Sequence, residues 1–347
     1  MFPKALTWDD ISIVPGYSDI MSREECDTSI VLDKKRRIIL NTPIIASPMD
    51  TVCEKEMAIA IGKLGGLGII HRFMSIEEQV EQCNSVSAVA VHVGAAIGVG
   101  EKSKERTRAL VAAGVGILDI DIAHGDSKYT IDAVNWLRGE LKFDGHIMVG
   151  TVAVGDAIRR LDNYCDFDSI RVGLGGGAGC ETRIRSGIGI PGESSVLDCA
   201  GRNRRGKTII ADGGLRTPGD ICKAIALGAN AVMLGNLLAG TRESPGSIHK
   251  RGEWPNQVLY KKYMGSASLE SKLRRGEEGK NVEGASYDIV YKGKTKRIVN
   301  DIMDGLRSSM SYVGARTIEE FQRNADFVRV TNAGVIEATP HGRKKGL

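Results

Sequence analysis

Hydrophobic and polar positions alternate along this chain in blocks. Eight short apolar runs, rich in valine and isoleucine and bounded by turn residues, cover 43–47, 66–71, 88–98, 116–122, 146–152, 169–175, 208–214 and 231–236. Runs without internal polar alternation are typical of parallel strands buried on both faces. Amphipathic stretches that predict helices lie between many of them, for example at 102–113, 129–141, 153–163 and 217–227.

Eight strands that alternate with helices predict an α/β protein with a single (β/α)8 TIM barrel, which we assign to residues 41–335. A doubly wound open sheet is the alternative, although it usually has fewer strands. Residues 1–40 form an N-terminal arm. The long polar excursion at 241–315 follows the last strand and is typical of a lid, or flap. We expect the tail at 336–347 to be mobile.

Composition narrows the class of protein. The chain has 347 residues, 42% hydrophobic and 26% charged, with a net charge of +4. These values fit a globular protein and give no dense basic patch for nucleic acid. No apolar run approaches the ~20 residues of a membrane span, and charged residues come too early for a signal peptide. Seven cysteines without a CxxC pair argue against disulfides or zinc. We therefore expect a cytoplasmic protein without membrane or nucleic-acid partners.

The densest chemical signal is a glycine loop that follows the sixth predicted strand. Five glycines lie within residues 173–179, and Cys180 follows them. On a barrel this loop lies on the catalytic face. Its backbone groups are available to an anion or a cation, and Cys180 is a nucleophile if its thiolate is stabilised. The alternative is a mobile glycine loop with an incidental thiol.

Polar residues also follow other predicted strands. Asp212 precedes a glycine pair after strand seven, and Gly235 and Asn236 follow strand eight. Loops seven and eight are the usual phosphate site of a barrel. A carboxylate at Asp212 suits a ribose diol, although a turn residue is the alternative. Asp50 and Asp121, after strands one and four, share this face.

These motifs resemble the IMP dehydrogenase / GMP reductase family over residues 5–341. The matching segments are Cys180-x-Thr182-Arg183, Ser-Pro-Met-Asp-Thr-Val at 47–52, Ile-Ala-Asp-Gly-Gly at 210–214 and Gly-Thr-x-Glu-Ser-Pro-Gly at 240–246. The resemblance implies a barrel that binds a purine 5′-monophosphate and NAD or NADP, forms a covalent thioimidate on the loop cysteine and assembles as a homotetramer. In dehydrogenase members it also implies a monovalent cation, here K+, held by loop carbonyls.

The resemblance carries specific roles onto this chain. It implies catalytic roles for Cys180, Thr182 and Glu283, with Glu278 as the alternative register for the glutamate. The remaining assignments are nucleotide contacts at Ser47, Met49, Ala178, Asp212, Gly214, Gly235, Asn236, Met264 and Gly265, cofactor contacts at Asp121, Ile122, Ala123 and Thr151, and cation carbonyls at Gly173, Gly175 and Cys180.

The two reactions of the family differ after the first covalent adduct. The flap lacks the Arg-Tyr pair that the resemblance associates with water activation in dehydrogenases. Ile122 and Ala123 follow Asp121, whereas dehydrogenases tend to have two serines after this aspartate. Only about 14 residues separate Met74 from Ala88, which leaves no room for the usual pair of CBS modules. The arm and the stretches 65–71 and 327–334 look more like dehydrogenases.

Because the chemistry depends on the flap, we give its features more weight than those of the arm and the barrel, and we expect a GMP reductase. The alternatives are an IMP dehydrogenase and a catalytically weakened nucleotide-binding protein. A flavin- or phosphosugar-binding barrel would give the cysteine loop no role.

Several positions depart from the family pattern. Gly176, Ala178 and Glu181 replace a typical proline, serine and threonine, and Thr151 replaces a typical asparagine. Ala178 removes a hydroxyl that would bind phosphate, a bond worth about 1.5–3 kcal/mol, and Asn236 is the candidate substitute. Glu181 opposes thiolate formation at Cys180 unless Arg183 or Arg185 offsets its charge.

Overall fold

Three short strands precede the barrel in the computed structural model, which describes residues 3–253 and 255–338. They are β1 (Ile11–Val14), β2 (Ile30–Asp33) and β3 (Ile38–Leu40), of which β2 and β3 form an antiparallel pair. This pair covers the amino end of the barrel. The Thr208 hydroxyl donates to the Leu32 carbonyl at 3.0 Å, and His146 Nδ1 lies 2.8 Å from an oxygen of Asp33.

Eight parallel strands then close into a barrel, as the sequence predicts. They are β4 (Ile44–Ala46), β5 (Leu67–Ile70), β6 (Val93–Ile97), β7 (Ile117–Asp121), β8 (His146–Val152), β9 (Ser169–Val172), β10 (Thr208–Asp212) and β11 (Ala231–Leu234). Residues such as Ile44, Ile45 and Ala46 are fully buried, because strand residues face either the interior of the barrel or the surrounding helices.

Helices connect consecutive barrel strands. They are α1 (Lys55–Lys63), α2 (Ile76–Ser87), α3 (Glu101–Ala112), α4 (Lys128–Gly139), α5 (Gly155–Tyr164), α6 (Thr182–Ser186), α7 (Gly192–Arg202) and α8 (Pro218–Ala226). A side chain caps the first turn of α2, α4 and α8. Ser75 accepts from the Glu78 amide in a capping box, and Thr217 accepts from the Asp220 amide with Pro218 next to it, which satisfies otherwise unpaired amides.

One predicted strand was too long. The run 88–98 contains β6, which begins only at Val93, because α2 continues to Ser87 and a turn follows it. Ala90 in that turn has a φ of 58°, a left-handed conformation that a strand does not accommodate.

The excursion after β11 forms a separate layer on the catalytic face. Its elements are β12 (His249–Arg251), β13 (Val258–Met264), α9 (Leu269–Arg274) and β14 (Ser286–Val290). The three strands form an antiparallel sheet, and β13 pairs with β14 up to Met264 opposite Ser286. The loop between these two strands, residues 265–285, carries α9. It is the part of the predicted excursion that we call the flap.

The helix α10 (Thr295–Tyr312) belongs to the outer ring of the barrel, where it packs against α8 and α1. The predicted excursion at 241–315 therefore includes a barrel helix. The chain continues with α11 (Ile318–Asn324), β15 (Asp326–Arg329), which pairs with β1, and α12 (Asn332–Glu337). Most of the predicted tail, from residue 339 onward, lies outside the described residues. No helix among the described residues is long and apolar enough to cross a membrane.

Candidate active site

Two adjoining cavities lie at the carboxyl ends of the barrel strands. The first, about 230 Å³, contains Cys180 and is called the Cys180 cavity. The second, about 390 Å³, is lined by the loops after β9, β10 and β11 and is called the glycine cavity. The two share Ser47, Met49 and Asp212 among their lining residues. One elongated ligand can therefore extend from one cavity into the other.

The three predicted catalytic residues meet in the Cys180 cavity. The Cys180 thiol donates to the Thr182 hydroxyl at 3.2 Å, and Glu283 lines the same cavity. Main-chain bonds fix this arrangement, since the Glu181 amide donates to the Glu283 carbonyl at 2.7 Å and the Ala285 amide to the Gly179 carbonyl at 2.9 Å. The base of the flap is thus paired with the cysteine loop.

The Cys180 cavity also collects most of the other predicted contacts. Those that line it are Ser47, Met49, Asp121, Ala123, Thr151, Gly173, Gly175, Asp212 and Gly265. Residues from five different barrel strands or their following loops meet here, as expected at the carboxyl face of a barrel.

The glycine cavity holds four further predicted nucleotide contacts. Ala178, Gly214, Gly235 and Asn236 line it, and Asn236 Nδ2 donates to the Tyr287 hydroxyl at 3.0 Å. Two of its lining residues carry buried donors, Trp8 Nε1 and Arg183 Nε, that have no partner among the described residues. Both donor atoms have almost no accessible surface, and buried donors without partners cost free energy.

Two predicted contacts lie outside both cavities. Met264 is fully buried, and its amide donates to the Thr51 hydroxyl at 3.2 Å, while Ser266 and Ala267 line the Cys180 cavity instead. Ile122 is paired through its backbone, since its carbonyl accepts from the Thr151 amide at 3.0 Å. The sequence motif located the segment, and the strand geometry decided which residues face the cavity.

The sequence analysis missed a buried charge cluster below the site. Arg171 Nη1 donates to Asp119 at 2.7 Å and to Asp121 at 2.8 Å, and its Nη2 donates to Asp212 at 2.8 Å. The pKa of Asp119 is raised to about 7, because burial and the nearby carboxylates of Asp121 and Asp212 together outweigh the opposing effect of Arg171. Burial also raises the pKa of Asp212, against the opposing effect of Arg171. A charged residue inside an apolar run, as in Ile170-Arg171-Val172, is the signal that could have revealed it.

The flap arginines lie away from Cys180. Arg274 and Arg275 line a separate groove with Asp50 and His71, and the Arg275 guanidinium lies 4.3 Å from the centre of the Phe73 ring. Neither arginine lines the Cys180 cavity as the structure describes it.

The sequence left two questions open: which glutamate lies near Cys180, and which arginine pairs with Glu181. Glu278 is exposed and paired with Lys280, whereas Glu283 faces the cavity. Glu181 pairs with Arg185 at 2.9 Å. Arg183 donates instead to backbone carbonyls, including that of Leu174 at 3.4 Å.

Comparison with known proteins defines the class. A family model described as the IMP dehydrogenase / GMP reductase domain matches residues 5–341. The chain belongs to this family, and it is an NAD(P)-dependent oxidoreductase with a (β/α)8 barrel.

Relatives of both names are similar to the chain over nearly its whole length. The inosine-5′-monophosphate dehydrogenase of Cryptosporidium parvum is 34% identical, with 97% of this chain and 95% of the relative covered. The GMP reductase of Leishmania major is 30% identical, covering 99% and 98%. The crystal structure of Trypanosoma brucei GMP reductase in complex with guanosine 5′-monophosphate superposes with a TM-score of 0.90 at 30% identity, covering 99% of both chains.

Proposed function

We propose that this protein is a GMP reductase, which converts GMP and NADPH to IMP, ammonia and NADP. The observation that supports this reaction is the content of the Cys180 cavity. It contains a cysteine, a threonine and a glutamate, but neither flap arginine. Departure of an amine needs a proton carrier, whereas hydrolysis of the adduct needs a base that activates water.

The chemistry follows from these side chains. The Cys180 thiolate adds to C2 of the guanine ring, and ammonia leaves from the same carbon, which produces a thioimidate. Thr182, 3.2 Å from the sulfur, and Glu283 deliver the proton that the departing amine requires. When bound, the reduced dinucleotide supplies the hydride that replaces the sulfur at C2.

The nucleotide spans both cavities in this proposal. Asp212 accepts from the ribose hydroxyls, and the phosphate occupies the glycine cavity, which the loops after β9, β10 and β11 line. The nicotinamide lies beside Asp121, Ala123 and Thr151, which line the Cys180 cavity. Asp121 and Thr151 give the nicotinamide a polar surface, and the shared cavity gives it access to C2 of the guanine.

The predicted K+ site is formed by backbone carbonyls. No described residue donates a hydrogen bond to the carbonyl oxygens of Gly173, Gly175 or Cys180. Such oxygens are suitable ligands for a monovalent cation. Activity with and without K+ tests this assignment.

Absorbance at 340 nm distinguishes the two reactions. One assay contains GMP with NADPH and the other IMP with NAD, both with K+ present. We expect the absorbance to fall in the first assay and to stay constant in the second. A rise in the second would identify an IMP dehydrogenase and require another flap group to activate water. If the absorbance changes in neither assay although GMP binds, the protein is a nucleotide-binding protein without this activity.

A further inference from the structure

The cluster around Arg171 connects the two ends of the proposed site. Its guanidinium contacts Asp212, which we assign to the ribose, and Asp121, which we assign to the cofactor. The third partner, Asp119, lies two residues before Asp121 on β7. Alternate strand residues point to the same face, so Asp119 lies in the layer of the barrel interior below the site.

Asp119 is an unusual residue for that layer. It is fully buried between Leu118 and Ile120 in the chain, and its Oδ1 atom has no hydrogen-bond partner among the described residues. Its other oxygen accepts from Arg171 Nη1 at 2.7 Å. Burying a carboxylate with one oxygen unpaired costs free energy, and the bond to Arg171 is the contact that offsets this cost.

The stem of Arg171 is already held by its neighbour strand. A Cβ added at Gly150 on β8 would lie 2.5 Å from Arg171 Cβ, so the two backbones approach closely there. The guanidinium at the far end is held by the three carboxylates. Asp121 and Asp212 both line the cavity, whereas Asp119 contacts the guanidinium from the buried layer below it.

We propose that Asp119 is a positioning residue for both substrates. By holding the Arg171 guanidinium from below, it fixes the separation of the Asp212 carboxylate at the ribose and the Asp121 carboxylate at the nicotinamide. This inference rests on the proposed function, which assigns those two groups. Without the lower anchor, Arg171 shifts toward the cavity and both carboxylates move with it, and small displacements of this kind weaken binding strongly.

The test compares two variants in a Cys180→Ala background, where both ligands bind without turnover. Asp119→Asn keeps an oxygen that accepts from Arg171, and Asp119→Leu removes it at similar volume. Calorimetry measures the affinity of GMP, of NADPH and of inorganic phosphate. We expect Asp119→Leu to weaken GMP and NADPH at least tenfold each while phosphate binding stays constant. We expect Asp119→Asn to remain within threefold of the parent for all three.

The outcomes are distinguishable. Asp119→Leu with parental affinity for either GMP or NADPH overturns the proposal, and so does an equal loss in Asp119→Asn. A loss of phosphate binding as well would show a general structural role and also overturn it. If Asp119→Leu does not fold, Asp119→Ala, which likewise removes the oxygen that accepts from Arg171, must produce the same paired loss. If the Cys180→Ala parent binds neither GMP nor NADPH, the proposed function itself fails.

Discussion

At the scale of single residues, the chemistry depends on one thiol among seven. Cys26, Cys53, Cys83, Cys199 and Cys222 are buried, and burial raises the pKa of Cys165, which is partly exposed, to about 12. Cys180 is partly exposed within a cavity. Thiolate formation and access together decide thiol reactivity, so Cys180 is the thiol suited to react.

We therefore predict that one equivalent of iodoacetamide at pH 7.5 modifies Cys180 selectively and abolishes turnover. Peptide mass spectrometry locates the label, and GMP slows labelling at least tenfold because it covers the thiol. Cys180→Ala removes both labelling and turnover, whereas Cys165→Ala, the matched control, removes neither. Measurable turnover in Cys180→Ala would contradict the covalent mechanism.

The proposed role of Glu283 in protonating the departing amine leads to a second prediction at the scale of residues. We expect Glu283→Gln to lower kcat by about a hundredfold or more, in the range typical of general acid–base groups, while the affinity for GMP changes little. Stopped-flow absorbance and calorimetry measure the two quantities. Glu278→Gln is the control, since Glu278 pairs with Lys280 at the surface. Equal losses in the two variants would remove the reason for choosing Glu283.

At the scale of elements, side-chain bonds hold the flap together and connect it to the barrel through Asp50. Arg275 donates to the Ser266 carbonyl at 2.9 Å and to the Ser271 hydroxyl at 3.0 Å. Ser271 in turn donates to Asp50 at 3.2 Å. Because Ser266 lines the Cys180 cavity, these bonds connect α9 to the wall of the site.

We predict that Arg275→Ala raises the KM for GMP about tenfold with a smaller effect on the melting temperature. The variant loses the hydrogen bonds to Ser266 and Ser271, the exposed ion pair with Glu277 and a contact with the Phe73 ring, which together stabilise the flap by about 2 kcal/mol. Steady-state kinetics and differential scanning fluorimetry measure the two effects. Arg274→Ala, a substitution of the exposed last residue of α9, is expected to behave as the parent. An unchanged KM in Arg275→Ala would show that the flap does not need this attachment.

At the scale of the whole molecule, three carboxylates share one buried guanidinium inside the barrel. The pKa of Asp119 is raised to about 7, compared with about 3.9 in an unfolded chain. Between these values the folded protein binds more protons than the unfolded one. The contribution of Asp119 to stability is therefore present below about pH 4 and is lost as the pH rises to 7.

We predict that the free energy of unfolding of the parent falls relative to Asp119→Asn between pH 4.5 and 7. The largest slope is about 1.4 kcal/mol per pH unit. Urea denaturation at several pH values measures it, and the difference between the two proteins cancels the titration of groups that do not interact with Asp119. A difference that is independent of pH would show that Asp119 stays ionised throughout this range.

The homotetramer stays a prediction, since one chain is described. Sedimentation equilibrium tests it directly.

The sequence by itself determined the barrel, the family and the position of the cysteine loop. Each depends on local pattern: apolar runs at strand length, helical periodicity between them, and glycines before Cys180 and after Asp212. The pattern placed the start of one strand, β6, too early, but the strand itself was present.

Only the tertiary structure decided which charged groups meet. Arg171 and Asp119 are 52 residues apart in the chain, and their contact depends on the parallel register of β7, β8 and β9. The choice between Glu278 and Glu283, and the placement of Arg274 and Arg275 outside the Cys180 cavity, depend equally on how the flap folds back. Local patterns specify elements, whereas closure of the barrel and pairing of the flap specify which side chains share a buried space.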